Sequence, residues 1–124
     1  MSRQKRKYLR KNVEFPLLVR AWASANPLAG DPSEHTFLVR DFGVGGLGFD
    51  SPVQLSPDDL IKIEFTLPGE QRRMVLDARV RACNPFLDRL RGIRVFRVGV
   101  KFVNLAEETQ TYFINYMSGT FLLY

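Results

Sequence analysis

Residues 60–82 read LIKIEFTLPGEQRRMVLDARVRA, and this stretch decides the fold class. Apolar and polar side chains alternate from Ile61 to Leu67, and every even-numbered position of residues 73–82 is apolar. This period of two is typical of a strand with one buried face and one face exposed to water. The dipeptide at 68–69, Pro-Gly, favours a turn between the two patterns, so the stretch predicts an antiparallel β-hairpin.

Further strands are predicted on both sides of this hairpin. Residues 15–23 and 36–41 are rich in aromatic, aliphatic and β-branched side chains, and the chain then runs through glycine-rich residues 42–49 into another strand. Residues 93–103 alternate again, with valine and phenylalanine on the inner face. Pro85 is predicted to break the fifth strand, and the residues after it form either a long hairpin loop or a strand extension.

One helix is predicted near the C-terminus. Asn104 is a residue type suited to an N-cap, and Glu107 follows three positions later, as in a capping box. Apolar and aromatic side chains recur at helical spacing over about residues 105–117, and Gly119 favours a stop there. The apolar tail, residues 121–124, is expected to pack on its own barrel or on another subunit, as in a homodimer.

About six short strands and one terminal helix predict a fold dominated by β-structure. We expect a small six-stranded antiparallel β-barrel that the C-terminal α-helix closes or plugs. Closure into a barrel removes exposed strand edges, which are otherwise a liability. The chain has the length of one domain, so we expect residues 13–124 to form the barrel and residues 1–12 to form a flexible basic arm.

Basic residues are unevenly distributed along the 124 residues of the chain. The formal net charge is +5, but residues 1–11 carry six basic side chains and no acidic one, and residues 72–101 carry nine basic side chains against two acidic ones. So many cations in one short arm repel one another unless an anion lies near. Long nucleic acid, a membrane surface, an acidic partner or a small phosphorylated ligand would each satisfy this arm.

The composition argues against several classes of protein. Cys83 is the only cysteine and His35 the only histidine, which excludes an internal disulfide and a polyhistidine metal site. No catalytic residue, metal ligand or cofactor is predicted, because the chain has no constellation of paired carboxylates or of nucleophile and base. No apolar run is long enough to cross a membrane and no secretory signal is recognisable, so a cytoplasmic protein is expected.

Two segments carry residue types suited to a phosphorylated ring compound. In the first, Arg6 and Arg10 lie four positions apart, and arginine is a planar fork that pairs with phosphate oxygens or with the O6 and N7 edge of guanine. The second, residues 41–49, reads DFGVGGLGF. Its aspartate offers acceptors to the N–H groups of guanine, and its glycines let the backbone approach a flat ligand. Taken alone, this segment is also typical of a structural turn or bulge.

Together the two segments resemble the motifs of the PilZ domain family, bacterial receptors for cyclic di-GMP. Arg6 and Arg10 match the family's RxxxR motif, and Asp41 and Gly46 match the first and last positions of its (D/N)xSxxG motif. The family's serine is replaced by Gly43, so one hydroxyl that would bond the ligand is absent. The resemblance covers nearly the whole chain, because the last strand and the helix also look like those of the family.

The resemblance implies a non-catalytic receptor or adaptor that binds cyclic di-GMP and relays this to an unidentified effector protein. Arg6 and Arg10 would grip the guanines and the phosphates. Asp41 would read the polar edge of a guanine, and Gly43 and Gly46 would permit close approach. Binding would order the arm against the barrel, which is a disorder-to-order switch.

One secondary site and two alternative functions remain open. Arg79 and Arg81 are expected either to form a second cationic wall of the ligand site or to be strand arginines that only contact water.

The alternative functions are an adaptor and a nucleic-acid-binding barrel. A PilZ-like adaptor that has lost nucleotide binding and acts only through protein–protein contacts is the alternative function, favoured by Gly43 and by the apolar tail. A barrel that binds nucleic acid would alternate aromatic and basic side chains on a strand face. Phe96 beside Arg97 fits this pattern only weakly, so no nucleic acid partner is expected.

Overall fold

The computed structural model describes residues 10–21 and 35–121 as six strands and one helix. These are β1 (Arg10–Ala21), β2 (His35–Gly43), β3 (Gly46–Ser51), β4 (Leu60–Thr66), β5 (Arg73–Asp88), β6 (Ile93–Val103) and α1 (Glu107–Phe121). Neighbouring strands are antiparallel in the order β1-β2-β3-β6-β5-β4, and β1 pairs with β4 to close a barrel. The predicted fold class, a six-stranded antiparallel barrel with a C-terminal helix, is confirmed.

The hairpin predicted from residues 60–82 forms β4 and β5. Its inner residues face each other in register, with Ile61 opposite Ala78 and Phe65 opposite Met74, and all four side chains are buried. The turn between the strands contains Gly69 at a φ of 82°, a left-handed backbone conformation that favours glycine. The alternation read from the sequence therefore gives the correct inner face for this part of the barrel.

The second half of β5 departs from the predicted alternation. The pairing of β5 with β6 shifts between Val80 and Ala82, which marks a β-bulge. Because a bulge inserts one extra residue, it reverses which face the following side chains occupy. Ala82, predicted to point inward, is exposed, and Cys83 is half-buried and accepts a hydrogen bond from the backbone of Leu55.

Pro85 does not end β5, which continues to Asp88. Of the two predicted alternatives, the chain forms the strand extension. The pairing with β4 ends at Arg79, so Pro85 pairs only with β6 among the described strands. Proline is tolerated on such an edge, because on the side away from β6 no described strand requires an N–H from it.

The helix α1 packs across one end of the barrel through an aromatic cluster. Phe113 is fully buried, and its ring centroid lies 5.1 Å from that of Phe42 at an interplanar angle of 90°. Phe65 and Phe102 complete the cluster. Edge-to-face contacts of this kind add to the free energy gained by burying the rings. The predicted helical stripe is thus the face that closes the barrel.

Hydrogen bonds tie α1 to the turn between β4 and β5. The Tyr112 hydroxyl donates to the carboxylate of Glu70 over 2.8 Å, and the Tyr116 hydroxyl donates to the backbone carbonyl of Pro68 over 3.0 Å. Burial, together with Glu70, raises the pKa of Tyr112 to about 12. This phenol therefore remains a hydrogen-bond donor throughout the physiological pH range.

The predicted boundaries of the helix are wrong at both ends. The helix begins at Glu107, and the carbonyl of Ala106 accepts the bond from the backbone N–H of Gln110. Asn104 instead adopts a φ of 54° in the turn after β6, a left-handed conformation that asparagine tolerates better than most residues. The helix continues through the exposed Gly119 to Phe121, so the glycine does not stop it.

The predicted boundary of the basic arm also differs from the structure. β1 begins at Arg10, which lies opposite Gly43, and Asn12 lies opposite Asp41. Residues 10–12 are therefore strand residues, because pairing with β2 satisfies their backbone groups whatever their charge. The rest of the arm and residues 122–124 of the apolar tail lie outside the described residues. In the described ranges, no helix has both the length and the hydropathy that a bilayer crossing requires.

Candidate functional site

A row of small residues crosses the outer face of the barrel. Asp41 of β2 lies opposite Gly48 of β3, Gly48 lies opposite Gly99 of β6, and Gly99 lies opposite Ala82 of β5. Because the two middle positions of this row are glycines, the surface forms a groove of about 660 Å³. Sites for small molecules commonly measure roughly 300–1,000 Å³, so the groove has room for one.

Two glycines of β3 lie where a side chain would approach a neighbouring atom closely, a backbone atom in one case and the end of a side chain in the other. A Cβ atom on Gly46 would lie 2.1 Å from the carbonyl oxygen of Val100 on β6. A Cβ atom on Gly48 would lie 2.8 Å from Oδ2 of Asp41. Glycine therefore keeps β3 tightly paired with β6 and leaves space for the Asp41 carboxylate beside the groove.

One rim of the groove contains an ion pair between two of the residues singled out in the sequence. Nη1 of Arg10 donates to Oδ1 of Asp41 over 2.5 Å, and both side chains are partly buried. The antiparallel pairing of β1 with β2 brings them together across 31 positions of sequence. Gly43 and Gly46, also predicted as site residues, line the same groove.

The opposite rim is cationic and comes from β5 and β6. Arg81, Arg97 and Lys101 line it together with Asn84. Together with Arg10, these residues give the groove four basic side chains. Its one acidic side chain, Asp41, already forms an ion pair with Arg10. Such a concentration of cations in a cleft favours an anionic ligand.

Arg97 is held in place by two contacts. Its Nε donates to Oδ1 of the buried Asp50 over 2.6 Å, and its Cζ lies 4.3 Å from the ring centroid of Phe86. Asp50 also accepts from Nε of Arg40 over 2.9 Å, and Arg40 pairs with Glu14. Burial lowers the pKa of Arg40, but Asp50 and Glu14 outweigh that effect and raise it overall. The guanidinium of Arg97 is therefore oriented before any ligand arrives.

The remaining predicted residues are placed differently. Arg81 lines the groove beside the bulge of β5, whereas Arg79 donates to the backbone carbonyl of Asp58 over 3.2 Å and is not among the lining residues. Of these two arginines, which the sequence pattern had placed on one face, Arg81 is therefore the one that lines the groove. Arg6 lies outside the described residues.

Ten of the lining residues were not predicted from the sequence, and four of them share a signal. Residues 46–48 and 97–101 place glycine or basic side chains at every second position. Glycine is disfavoured in strand interiors, so its recurrence on one face indicates a close approach or a ligand. The four residues with this signal are Gly48, Arg97, Gly99 and Lys101, and the other six are Val44, Gly45, Ala82, Asn84, Val98 and Val100.

The side chains that line the groove are suited to binding an anionic ligand. Its floor is flat, its walls offer guanidinium and ammonium donors, and Asp41 is the carboxylate among the lining residues. Guanidinium groups bind phosphates in bidentate fashion and stack on planar rings. Across the described part of the chain, no cluster of three or more His, Cys, Asp or Glu side chains is arranged to hold a metal ion.

Comparison with solved structures shows where this fold occurs. The structure of Bacillus subtilis inhibitor of motility (MotI/DgrA) matches with a TM-score of 0.74 and 17% identity, over 96% of this chain and 52% of that one. The PilZ domain of YcgR from Escherichia coli with c-di-GMP matches with a TM-score of 0.64 and 20% identity, over 89% and 86%. The K. pneumonia MrkH–c-di-GMP complex matches with a TM-score of 0.73 and 15% identity, over 96% and 52%.

These similarities establish the shared fold. The chain spans about half the length of the MotI/DgrA and MrkH chains, each of which it covers to 52%. No curated protein matches the sequence. A family model of the PilZ domain, however, matches residues 4–119, which include every element of the barrel and most of the helix. The chain therefore belongs to the PilZ domain family.

Proposed function

We propose that the groove binds cyclic di-GMP and that the chain is a non-catalytic receptor that relays this binding to a partner protein. One observation supports this proposal most directly. Arg10 pairs with Asp41 at one rim of a groove whose floor contains glycines and whose other rim is cationic. A cyclic dinucleotide has two phosphates and two flat guanines, and the groove offers complementary groups for both.

Each part of the groove has a role in this proposal. Arg10 stacks on a guanine or pairs with a phosphate, while Asp41 accepts from the ring N–H and the amino group of a guanine. Arg97, already oriented by Asp50, and Lys101 neutralise the second phosphate. Arg6 would enter from the arm and complete the set, and the ordering of the arm would create the surface that the partner recognises.

A second candidate function is an adaptor that no longer binds the nucleotide. Two observations favour it: Gly43 replaces the family's serine, and Arg10 and Asp41 already satisfy each other's charge. A ligand must either open this ion pair or bind around it. Relay would then depend only on protein–protein contacts, and the groove would contribute no affinity for cyclic di-GMP.

Calorimetric titration of the chain with cyclic di-GMP separates the two functions, and Arg10→Ala is the informative variant. Loss of a hydrogen bond to a charged group weakens binding by roughly ten- to hundredfold, so Arg10→Ala is expected to raise Kd by that factor. Arg6→Ala is expected to act in the same direction. Arg73→Ala is the matched control, because Arg73 pairs with Glu64 away from the groove. Absence of heat with the unaltered chain would favour the adaptor.

Restoring the missing hydroxyl tests the position of the ligand. Gly43→Ser is expected to tighten binding of cyclic di-GMP by about tenfold, the equivalent of one hydrogen bond to a charged group. Gly43 lines the groove beside Arg10, its partner across the β1–β2 pairing, so a serine there would face the same ligand. Unchanged or weaker binding in a folded variant would place the ligand elsewhere or mark the backbone at this position as unsuited to serine.

A random oligonucleotide serves as the specificity control. Binding to single-stranded DNA or RNA at physiological salt is expected to be weak. Tight binding that falls steeply with salt would instead support a barrel that contacts the nucleic acid backbone.

A further inference from the structure

The far end of the β5–β6 hairpin extends past the strands beside it. The pairing of β4 with β5 ends at Arg79, and the pairing of β3 with β6 ends at Phe96. Among the described strands, residues 86–88 of β5 and 93–95 of β6 therefore pair only with each other. We refer to residues 86–94 as the hairpin tip.

The hairpin tip presents apolar side chains to water. Leu90, in the turn, is 99% exposed, and Leu87 is 49% exposed. Phe86 and Ile93 are also exposed large apolar residues. Single exposed leucines are common on protein surfaces, but four large apolar side chains on one short projection mark an interaction surface.

The same tip is strongly cationic. Arg89, Arg91 and Arg94 are exposed around Leu90. Asp88 is the acidic residue of the tip, and Nε of Arg91 donates to its carboxylate over 2.7 Å. Arg89 and Arg94 have no ionic partner within the described residues. The tip therefore carries two unneutralised arginines next to an apolar apex.

We propose that the hairpin tip binds an anionic lipid surface. An apolar apex ringed by arginines fits the bilayer interface, because Leu90 can enter the region between head groups and acyl chains while the guanidinium groups remain with the lipid phosphates. Arginine side chains suit this position, since their stems pack along apolar surface and their charged ends stay in the polar layer.

The shape and charge of the hairpin tip favour a lipid surface over a protein partner and over a second copy of the chain. The tip is a projecting turn rather than a groove, so a protein partner would need an acidic cleft of matching shape, whereas a bilayer deforms around a small projection. A second copy of the chain would bring the same arginines together, and like charges repel. The proposal does not depend on nucleotide binding, because the tip residues are not among those that line the groove.

Vesicle sedimentation with the full chain tests the proposal. The chain is expected to bind vesicles of phosphatidylglycerol and phosphatidylcholine and not vesicles of phosphatidylcholine alone. Leu90→Asp is expected to lower the partition coefficient about tenfold, and Arg89→Ala and Arg94→Ala about fivefold each. Val75→Asp is the matched control, because Val75 is 47% exposed on the same strand but pairs with β4, away from the tip.

Residues 1–11 of the basic arm can also attract anionic vesicles, and the comparison of the two aspartate variants assigns binding to the hairpin tip. Both variants add the same charge, so equal partitioning of Leu90→Asp and Val75→Asp would overturn the proposal, as would no binding by the unaltered chain. Leu90→Trp supplies a local measurement. Its fluorescence is expected to shift to shorter wavelength with anionic vesicles relative to the unaltered chain, whose one tryptophan is Trp22, and no additional shift would contradict insertion of the tip.

Discussion

Gly46→Ala is expected to lower the free energy of unfolding by about 3 kcal/mol or more, a large fraction of the roughly 5–15 kcal/mol that is typical of a folded protein. The added Cβ would lie 2.1 Å from the carbonyl oxygen of Val100, and the obstructing atom is backbone rather than the end of a flexible side chain. β3 must then move away from β6, and the ladder on both sides of Gly46 must shift with it.

Urea unfolding followed by circular dichroism measures this effect. Gly99→Ala is the matched control, because Gly99 lies on the neighbouring strand and a Cβ there meets no atom within 4 Å. Its free energy of unfolding is expected to stay unchanged or to rise by up to about 1 kcal/mol, because alanine loses less backbone entropy than glycine in a strand. Equal stability of the two variants would contradict the assignment of Gly46 to a close strand contact.

Gly99→Val is expected to abolish binding of cyclic di-GMP, with Kd raised more than about a hundredfold, while the barrel stays folded. Valine suits a strand, and no protein atom obstructs the new Cβ. The side chain instead points into the groove, where Gly99 lies between Gly48 and Ala82 and where a flat ligand would rest. The free energy of unfolding is expected to stay unchanged or to rise by up to about 1 kcal/mol, because valine favours a strand more than glycine does.

Calorimetric titration and urea unfolding of the same preparation separate loss of binding from loss of fold. Val75→Ala supplies a control for a valine-sized change elsewhere on the outer surface, and it is expected to bind as the unaltered chain does. If Gly99→Val folds and binds cyclic di-GMP normally, the ligand does not use this floor, and the proposed site is wrong. If the unaltered chain does not bind at all, the adaptor function is favoured instead.

The parts of the fold that are local in sequence were predictable. Alternation in residues 60–67 gave the inner face of β4, because a strand's side chains point to opposite faces in turn. The stripe on α1 that contains Phe113 and Met117 was likewise visible as helical spacing. Glycine and asparagine signals near the helix were less informative, because an exposed Gly119 lowers helix stability only modestly and Asn104 satisfies a turn as readily as a cap.

The candidate site was predictable only in part. Arg10, Asp41, Gly43 and Gly46 were identified through their motifs and lie in one groove. Arg97 carries no motif, and its position follows from Asp50, Phe86 and the pairing of β3 with β6. Arg81 lies at the bulge of β5 and lines the groove, whereas Arg79 donates to the carbonyl of Asp58, and the alternation pattern in the sequence reveals neither the bulge nor this contact.

The sequence by itself determined which segments of this protein are strands, which face of the terminal helix is apolar and which short motifs have ligand-binding chemistry, because those properties depend on neighbours a few positions apart. Only the tertiary structure decided that Asp41, Gly48, Gly99 and Ala82 form one row, that four cations share a groove and that the hairpin tip projects. Strand order and register join residues far apart in the chain, and they follow from closure of the barrel over a common core rather than from any single segment.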